Sequence, residues 1–177
     1  ELPDGPPVLE SQYDSAVPVT SVQEFANCPR LYLLGRYLGL DRSRGAPALL
    51  GEEEVLEKGG ADSLDAAEFG SVVHALLAGE PVEAAPTEAL EMASRFRASA
   101  LGVRAARAER VEREFDFVMA LEDMVLRGKI DLWFEEGGEL ILVDYKTSHV
   151  SGTEASRYAA SYAVQLRLYA MALERHA

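Results

Sequence analysis

The chain of 177 residues contains a single cysteine, Cys28. That excludes an internal disulfide and any metal site built only from cysteines of this chain, and makes the cytoplasm the expected compartment. No apolar run approaches the roughly 18 residues that cross a bilayer, and no secretory leader is legible, so no membrane partner is expected. A basic excess is also missing. The formal net charge is −13, opposite to the usual footprint of a nucleic-acid binder. Acidity does not exclude such a partner, but it argues against strong autonomous affinity, which grows with the number of phosphates neutralised. Positive charge is local, at Arg30, Arg36, Arg42 and Arg44 and in a run from Arg95 to Arg113 that reads as a solvated helix face with interspersed Glu. No internal repeat is evident. What is present, 48% hydrophobic and 27% charged residues, suits one folded domain with a sizeable core.

Residues 1–18 carry four prolines and little periodicity, which predicts an extended linker ahead of a domain over 19–177. Ser21-Val22-Gln23-Glu24 has the pattern of a capping box opening a short helix that Pro29 stops. A second helix is expected over 31–38, ended by Gly39, and a loop over 41–63. Phe69, Val72, Val73, Leu76 and Leu77 fall at helical spacing within 66–78, with His74 beside them. Thr87 is expected to cap a helix reaching about Leu101. Strands follow at 111–119, 124–134 and 140–147, the first two joined through Leu121-Glu122-Asp123. A single long helix is expected over 153–175, with Tyr158, Tyr162, Gln165 and Tyr169 on one stripe.

The last two strands carry the most informative spacing. Gly137-Gly138 between apolar runs signals a two-residue hairpin turn. With those glycines in the turn, Phe134 pairs with Ile141 and Asp131 lies opposite Asp144. Lys146, two residues on, shares the face of Asp144. Facing carboxylates ~5 Å apart repel by roughly 3 kcal/mol at an effective dielectric of ~20. A divalent cation reverses the sign of that interaction. The bland alternative is a solvated face on which the two carboxylates splay and Lys146 neutralises them. His74 alone reads as a core residue on an apolar helix, and the tyrosine stripe as packing, although Gln165 fits poorly in a core.

Five segments appear in a fixed order: Ser21 through Phe25-Ala26-Asn27-Cys28-Pro29-Arg30; Gly70-Ser71-Val72-Val73-His74; Gly128-Lys129-Ile130-Asp131; Val143-Asp144-Tyr145-Lys146-Thr147; and Gln165-Leu166-Arg167-Leu168-Tyr169. Together they resemble the RecB-family nuclease domain, a branch of the PD-(D/E)XK nucleases found in AddA/AddB-type helicase-nucleases and CRISPR-associated adaptation nucleases. The resemblance implies an α/β, restriction-endonuclease-like core, with helices flanking a mixed, mainly antiparallel central sheet. It makes Asp131 and Asp144 metal ligands, joined by the backbone carbonyl of Tyr145 and by His74. The metal would be Mg²⁺ or Mn²⁺, an imidazole suiting the latter.

Lys146 would activate a water or hold negative charge on the phosphorane, and Gln165 and Tyr169 would contact DNA or orient Lys146. Glu112 and Glu114, outward on the first strand, could lie near the metal; Glu24 reads as a helix cap. The implied activity is a DNA exonuclease on single strands delivered by a helicase, in recombination or double-strand-break repair. Since the chain begins with Glu1, the C-terminal part of a larger helicase-nuclease is the expectation. Some relatives hold a four-cysteine iron–sulfur cluster. Cys28 matches its first ligand and the other three are absent, so no iron–sulfur cluster is expected in this chain. Two other readings stand beside this one: a non-catalytic DNA-binding or scaffolding module of the same fold, and a stand-alone endonuclease.

Overall fold

The computed structural model describes residues 16–39, 64–122, 124–148 and 150–176. The expected linker over 1–15 and the loop over 41–63 lie outside the described residues, as do Arg42 and Arg44. Ala16–Pro18 are strand β1, not linker. Helix α1 spans Val19–Asn27 and begins after Pro18, with no side-chain cap. Ser21 is therefore inside the helix and the expected capping box does not form, because β1 delivers the chain already turned into the helix two residues earlier. Helix α2, Pro29–Tyr32, opens on a proline whose missing N–H costs nothing at that position, and runs into a π-helical turn over Leu33–Tyr37.

Helix α3, Ala66–Ala78, carries a real capping box: Asp65 accepts from the Glu68 N–H, and Glu68 reaches back to the Asp65 N–H. The helix expected from Thr87 divides into α4, Thr87–Ala98, and α5, Ala100–Arg107. Ser99 breaks it: its extended backbone leaves the helix and its hydroxyl caps the Gly102 N–H. The arginine run is thereby spread over two helices and a strand rather than lying along one helix face.

Strands β2, Arg110–Leu121, and β3, Met124–Glu136, pair antiparallel from Arg110–Glu135 to Leu121–Met124 with one interruption at Glu114, and β4, Glu139–Val143, pairs antiparallel with the end of β3. The hairpin register is the expected one, Phe134 opposite Ile141 and Glu136 opposite Glu139. Gly137 and Gly138 both have positive φ, at 61° and 81°, the pattern a type I′ turn demands and glycine supplies without strain. The ladder stops at Leu132–Val143, however, so Asp144 is past the end of β4 and not a paired strand residue.

Strand β1 runs parallel to β3 through Ala16–Val125 to Pro18–Arg127. The edge of β3 opposite β2 is thus shared, β1 taking its first half and β4 its second, which leaves a gap at 128–131. The final helix also divides, into α6, Gly152–Ala160, and α7, Ala163–His176.

Among the described residues, two cores sandwich this four-stranded sheet. Val19, Leu126, Ile130, Trp133, Leu168, Tyr169 and Leu173 pack α1 and α7 on one face. Val73, Leu77, Ala89, Ala93, Ala105, Leu132 and Phe134 pack α3, α4 and α5 on the other. The result is the α/β arrangement of a mixed, mainly antiparallel sheet between helices. Simple alternation would put Ile130, Leu132 and Phe134 on one face, yet Ile130 enters one core and the other two enter the opposite one. Alternation reverses at Asp131. Opposite it on β2, Glu114 sits at a left-handed φ of 50° and forms no ladder pair. Such local irregularities recur beside functional sites because they re-aim side chains.

Gly128 lies in the gap. A Cβ there would come 2.7 Å from two ring carbons of Phe117 and 3.0 Å from the Tyr169 ring. Both rings belong to the packed core, so Gly128→Ala should destabilise the fold by about 1–3 kcal/mol. Thermal unfolding of the two proteins checks this; an unchanged melting temperature would show that the rings give way freely.

Candidate active site

Asp131 is carried by the central strand at the point where alternation reverses, and is 8% exposed. Its Oδ2 accepts the Tyr145 N–H at 2.6 Å. The Tyr145 ring is buried, edge-on to both Phe96 and His74. Tyr145 therefore anchors the chain after β4 twice, by its ring in the core and by its N–H on Asp131. Its neighbours on both sides, Asp144 and Lys146, are fixed at the gap as a consequence.

From α3, His74 places Nδ1 3.3 Å from Asp131 Oδ1. Glu114 approaches from β2. Donor atoms of His74, Glu114 and Asp131 all lie within 4.8 Å of one another. One Glu114 oxygen is 3.4 Å from Lys129 Nζ, while the other is buried with no hydrogen-bond partner among the described residues. A buried carboxylate oxygen left unsatisfied beside a second carboxylate and an imidazole is the donor set a divalent cation completes. These residues fit a metal. Glu112 does not join them and pairs instead with Arg110 at 3.1 Å.

Asp144 stands just outside that trio. Its Oδ2 pairs with Lys146 Nζ at 2.6 Å and its Oδ1 accepts from Gln165 Nε2 at 3.0 Å. Gln165 also donates to the Tyr169 hydroxyl at 3.0 Å. Lys146 lies 4.6 Å from the centre of the Tyr162 ring, a cation–π contact that limits where its ammonium can go. The expected metal, catalytic and DNA-contacting residues thus converge on one spot, in two adjoining groups. His74 and Asp131 sit with Glu114; Asp144 sits with Lys146, Gln165 and Tyr169.

Gln165 is 4% exposed, which looks costly until its partners are counted. Behind it stands Gln23 of α1, whose Oε1 accepts the Gln165 N–H at 2.8 Å and whose Nε2 donates to the Ser161 carbonyl at 2.5 Å and to Asn27 at 2.8 Å. Gln23 thereby caps the start of α7 from another helix, satisfying one of its free N–H groups. Its role was open to discovery in the sequence: Val19 and Gln23, four apart, are the two buried residues of α1, and a Gln on an apolar face needs partners. Of the two first-strand glutamates expected near the metal, Glu114 is there and Glu112 is not; the positive φ of Glu114, which strand alternation does not anticipate, makes the difference.

The electrostatics follow from this packing. The hydrogen bond to Asp131 raises the His74 pKa above its ordinary 6.5, outweighing burial, which acts the other way. Burial foremost raises the Asp144 carboxyl, with Lys146 opposing. Burial pushes the Tyr145 and Tyr169 phenols up to about 12, so both stay protonated at neutral pH. A raised His pKa contributes stability below the unfolded value that is lost as pH rises through the folded one. Its proton must also leave before the nitrogen binds a metal. Mn²⁺ affinity, followed by calorimetry, should therefore increase from pH 6 to pH 8 with protons released into the buffer, and Glu114→Gln should weaken it about tenfold or more. Affinity that is flat with pH, and equal in the variant, would contradict this donor set.

The PD-(D/E)XK nuclease superfamily profile matches residues 16–177. Among curated proteins, similarity is to chains named as ATP-dependent helicase/nuclease subunits. That of Clostridium kluyveri is 35% identical over 97 residues, covering 46% of this chain and 8% of its own length. That of Bacillus pumilus is 32% identical over 120 residues, 56% of this chain and 10% of its own. That of Alkaliphilus metalliredigens is 36% identical over 91 residues, 44% and 8%. The chain spans about a tenth or less of the length of these relatives. Among the described residues no helix is long and apolar enough to cross a membrane.

Proposed function

This chain belongs to the PD-(D/E)XK nuclease superfamily, and from that premise we propose that it is a Mg²⁺- or Mn²⁺-dependent deoxyribonuclease that degrades single strands from an end, supplied by a helicase in the same chain or complex. The observation that carries the reading is the His74–Glu114–Asp131 donor group with its unsatisfied buried oxygen, set against the Asp144–Lys146 pair. His74, Glu114 and Asp131 would hold the cation, with Asp144 and the Tyr145 carbonyl joining as the family resemblance implies. When bound, the cation supplies Lewis acidity at a phosphoryl oxygen and lowers the pKa of water.

The protein's own groups do the rest. Asp144 holds the Lys146 ammonium at the mouth of the gap, and Tyr162 limits its travel. Lys146 is thereby preorganised to stabilise the charge that accumulates on the phosphorane oxygens, or to donate to the attacking water. Gln165 fixes Asp144 from behind, and Gln23 fixes Gln165. In-line positioning is most of what phosphodiester hydrolysis asks of a protein beyond charge stabilisation.

The helicase partnership is supported by the names of the relatives and by the charge of −13. A motor that feeds the strand removes the need for intrinsic affinity. Recombination or double-strand-break repair in the cytoplasm is the process this implies. The non-catalytic alternative is disfavoured because His74, Asp131, Asp144 and Lys146 are all present and adjacent.

The end-dependent part is tested with linear and circular single-stranded DNA of the same sequence. Mononucleotides and short oligomers from the linear strand only are expected. Equal cutting of the circle would replace exonuclease with endonuclease.

A further inference from the structure

We propose that Lys129 is a phosphate-binding residue for the substrate strand, at the junction of two clefts that meet over the candidate active site; the inference rests on the nuclease reading above. One cleft, about 650 Å³, leads away past Phe117, Arg127 and Tyr169. The other, about 500 Å³, follows α3 past Ser71 toward Glu80. His74, Lys129 and Lys146 are the residues lining both. A strand lying in the two clefts must cross these three side chains at the point of cleavage.

Their commitments differ. His74 is bound to Asp131, and Lys146 is 2.6 Å from Asp144. Lys129 is 51% exposed, and its ion pair with Glu114 is 3.4 Å long, well beyond the 2.7–2.9 Å of a tight charge-assisted bond. Glu114 is itself a member of the metal-binding trio. With Glu114 holding a cation, the Lys129 ammonium would be free to turn toward the cleft. Among the described residues, the other charged walls besides Arg127, His74 and the Asp144-bound Lys146 are acidic, with Asp116, Asp131 and Asp144 on one side and Glu80 and Glu114 on the other. A phosphate entering there needs a cation of the protein's own.

Composition points the same way. Of the 17 basic residues only three are lysines, Lys58, Lys129 and Lys146, and two of those three line the cleft junction. A chain that meets its other needs with arginine has a compact, rotatable ammonium at both cleft positions. An ammonium acts as a point charge on a phosphate already crowded by other ligands, where a planar guanidinium fork has less room.

The test is binding rather than turnover. Fluorescence anisotropy of a labelled, cleavage-resistant phosphorothioate oligodeoxynucleotide is followed across a salt series in Mg²⁺, for wild type, Lys129→Gln and Lys129→Arg. Loss of one phosphate contact should make the slope of log affinity against log salt shallower by about 0.7 for Lys129→Gln, with weakening that is uniform across sequences. Lys129→Arg, which keeps the charge in a bulkier group, should keep the wild-type slope while binding more weakly. A merely structural role for Lys129 would lower the melting temperature and leave the slope alone. Equal slopes for wild type and Lys129→Gln overturn the inference while leaving the nuclease reading intact. No binding by wild type even at low salt also overturns the inference, whereas the nuclease reading stands or falls on metal-dependent cleavage.

Discussion

Asp131→Asn is expected to reduce cleavage about a thousandfold or more while leaving most of the fold's stability in place, and Asp131→Ala to lose both. A cation acting as Lewis acid is worth several kcal/mol, and each ~1.4 kcal/mol is a factor of ten in rate. Removing the charge of its central carboxylate should forfeit most of that. The contrast between the two substitutions comes from the second job of Asp131. An amide oxygen can still accept the Tyr145 N–H that Oδ2 now holds at 2.6 Å, whereas alanine leaves that buried donor unsatisfied, at about 1–3 kcal/mol. Chemical denaturation and a cleavage assay, run on both variants, check the pair of expectations. Two variants with the same stability would show that the Tyr145 bond does not hold the site together. His74 should respond as well: with the Asp131 charge gone, the largest influence raising its pKa is weakened and the pKa should fall, Glu114 alone still acting to raise it.

Lys146→Gln should lower kcat about 10²–10³-fold, the loss typical of removing one preorganised charge-stabilising donor, with Mn²⁺ affinity undiminished. The two candidate roles of Lys146 separate here. If it only neutralises Asp131 and Asp144, its removal should strengthen cation binding and leave turnover in saturating metal near wild type. If it acts on the phosphorane or the water, turnover falls at every metal concentration. Burial already raises the Asp144 pKa against the pull of Lys146. Removing the ammonium should raise it further, so that the metal-free variant gains protons on Asp144 at a higher pH than wild type does. A carboxyl raised by folding favours the folded state below its unfolded pKa and loses that contribution as pH climbs through the folded one. The metal-free variant should accordingly be most stable at acid pH relative to wild type, which melting curves between pH 4 and pH 8 would reveal.

The hairpin was legible because its information is local. Two glycines and the apolar residues around them set the register to the residue, and α3 could be bounded by periodicity alone. The convergence of His74, Asp131, Asp144, Lys146, Gln165 and Tyr169 was legible only through the order of the motifs, since these residues come from elements distant in sequence. What the pattern hid was non-local or conformational. Ser21-x-x-Glu24 has the form of a capping box, yet pairing of Ala16–Pro18 with β3 started the helix before it. The long helices predicted over 87–101 and 153–175 were each broken where a serine or a Ser-Tyr pair offered the backbone another partner: Ser99 caps α5, and Ser161 bonds back to the Tyr158 carbonyl. The expectation of Asp131 and Asp144 as a facing strand pair failed in its detail. Alternation reverses at Asp131, β4 ends at Val143, and the carboxylate beside Asp131 and His74 is Glu114, one of the two first-strand glutamates expected near the metal, turned there by a left-handed φ.

If these side chains form one metal-dependent nuclease centre, the most direct test is cleavage of end-labelled single-stranded DNA by the purified chain with Mg²⁺, with Mn²⁺ and with EDTA, beside Asp131→Asn under the same conditions. Degradation by the wild type in either metal, none in EDTA and none by the variant is the result expected. Cleavage that survives EDTA, or that the variant performs as well as the wild type, would contradict it.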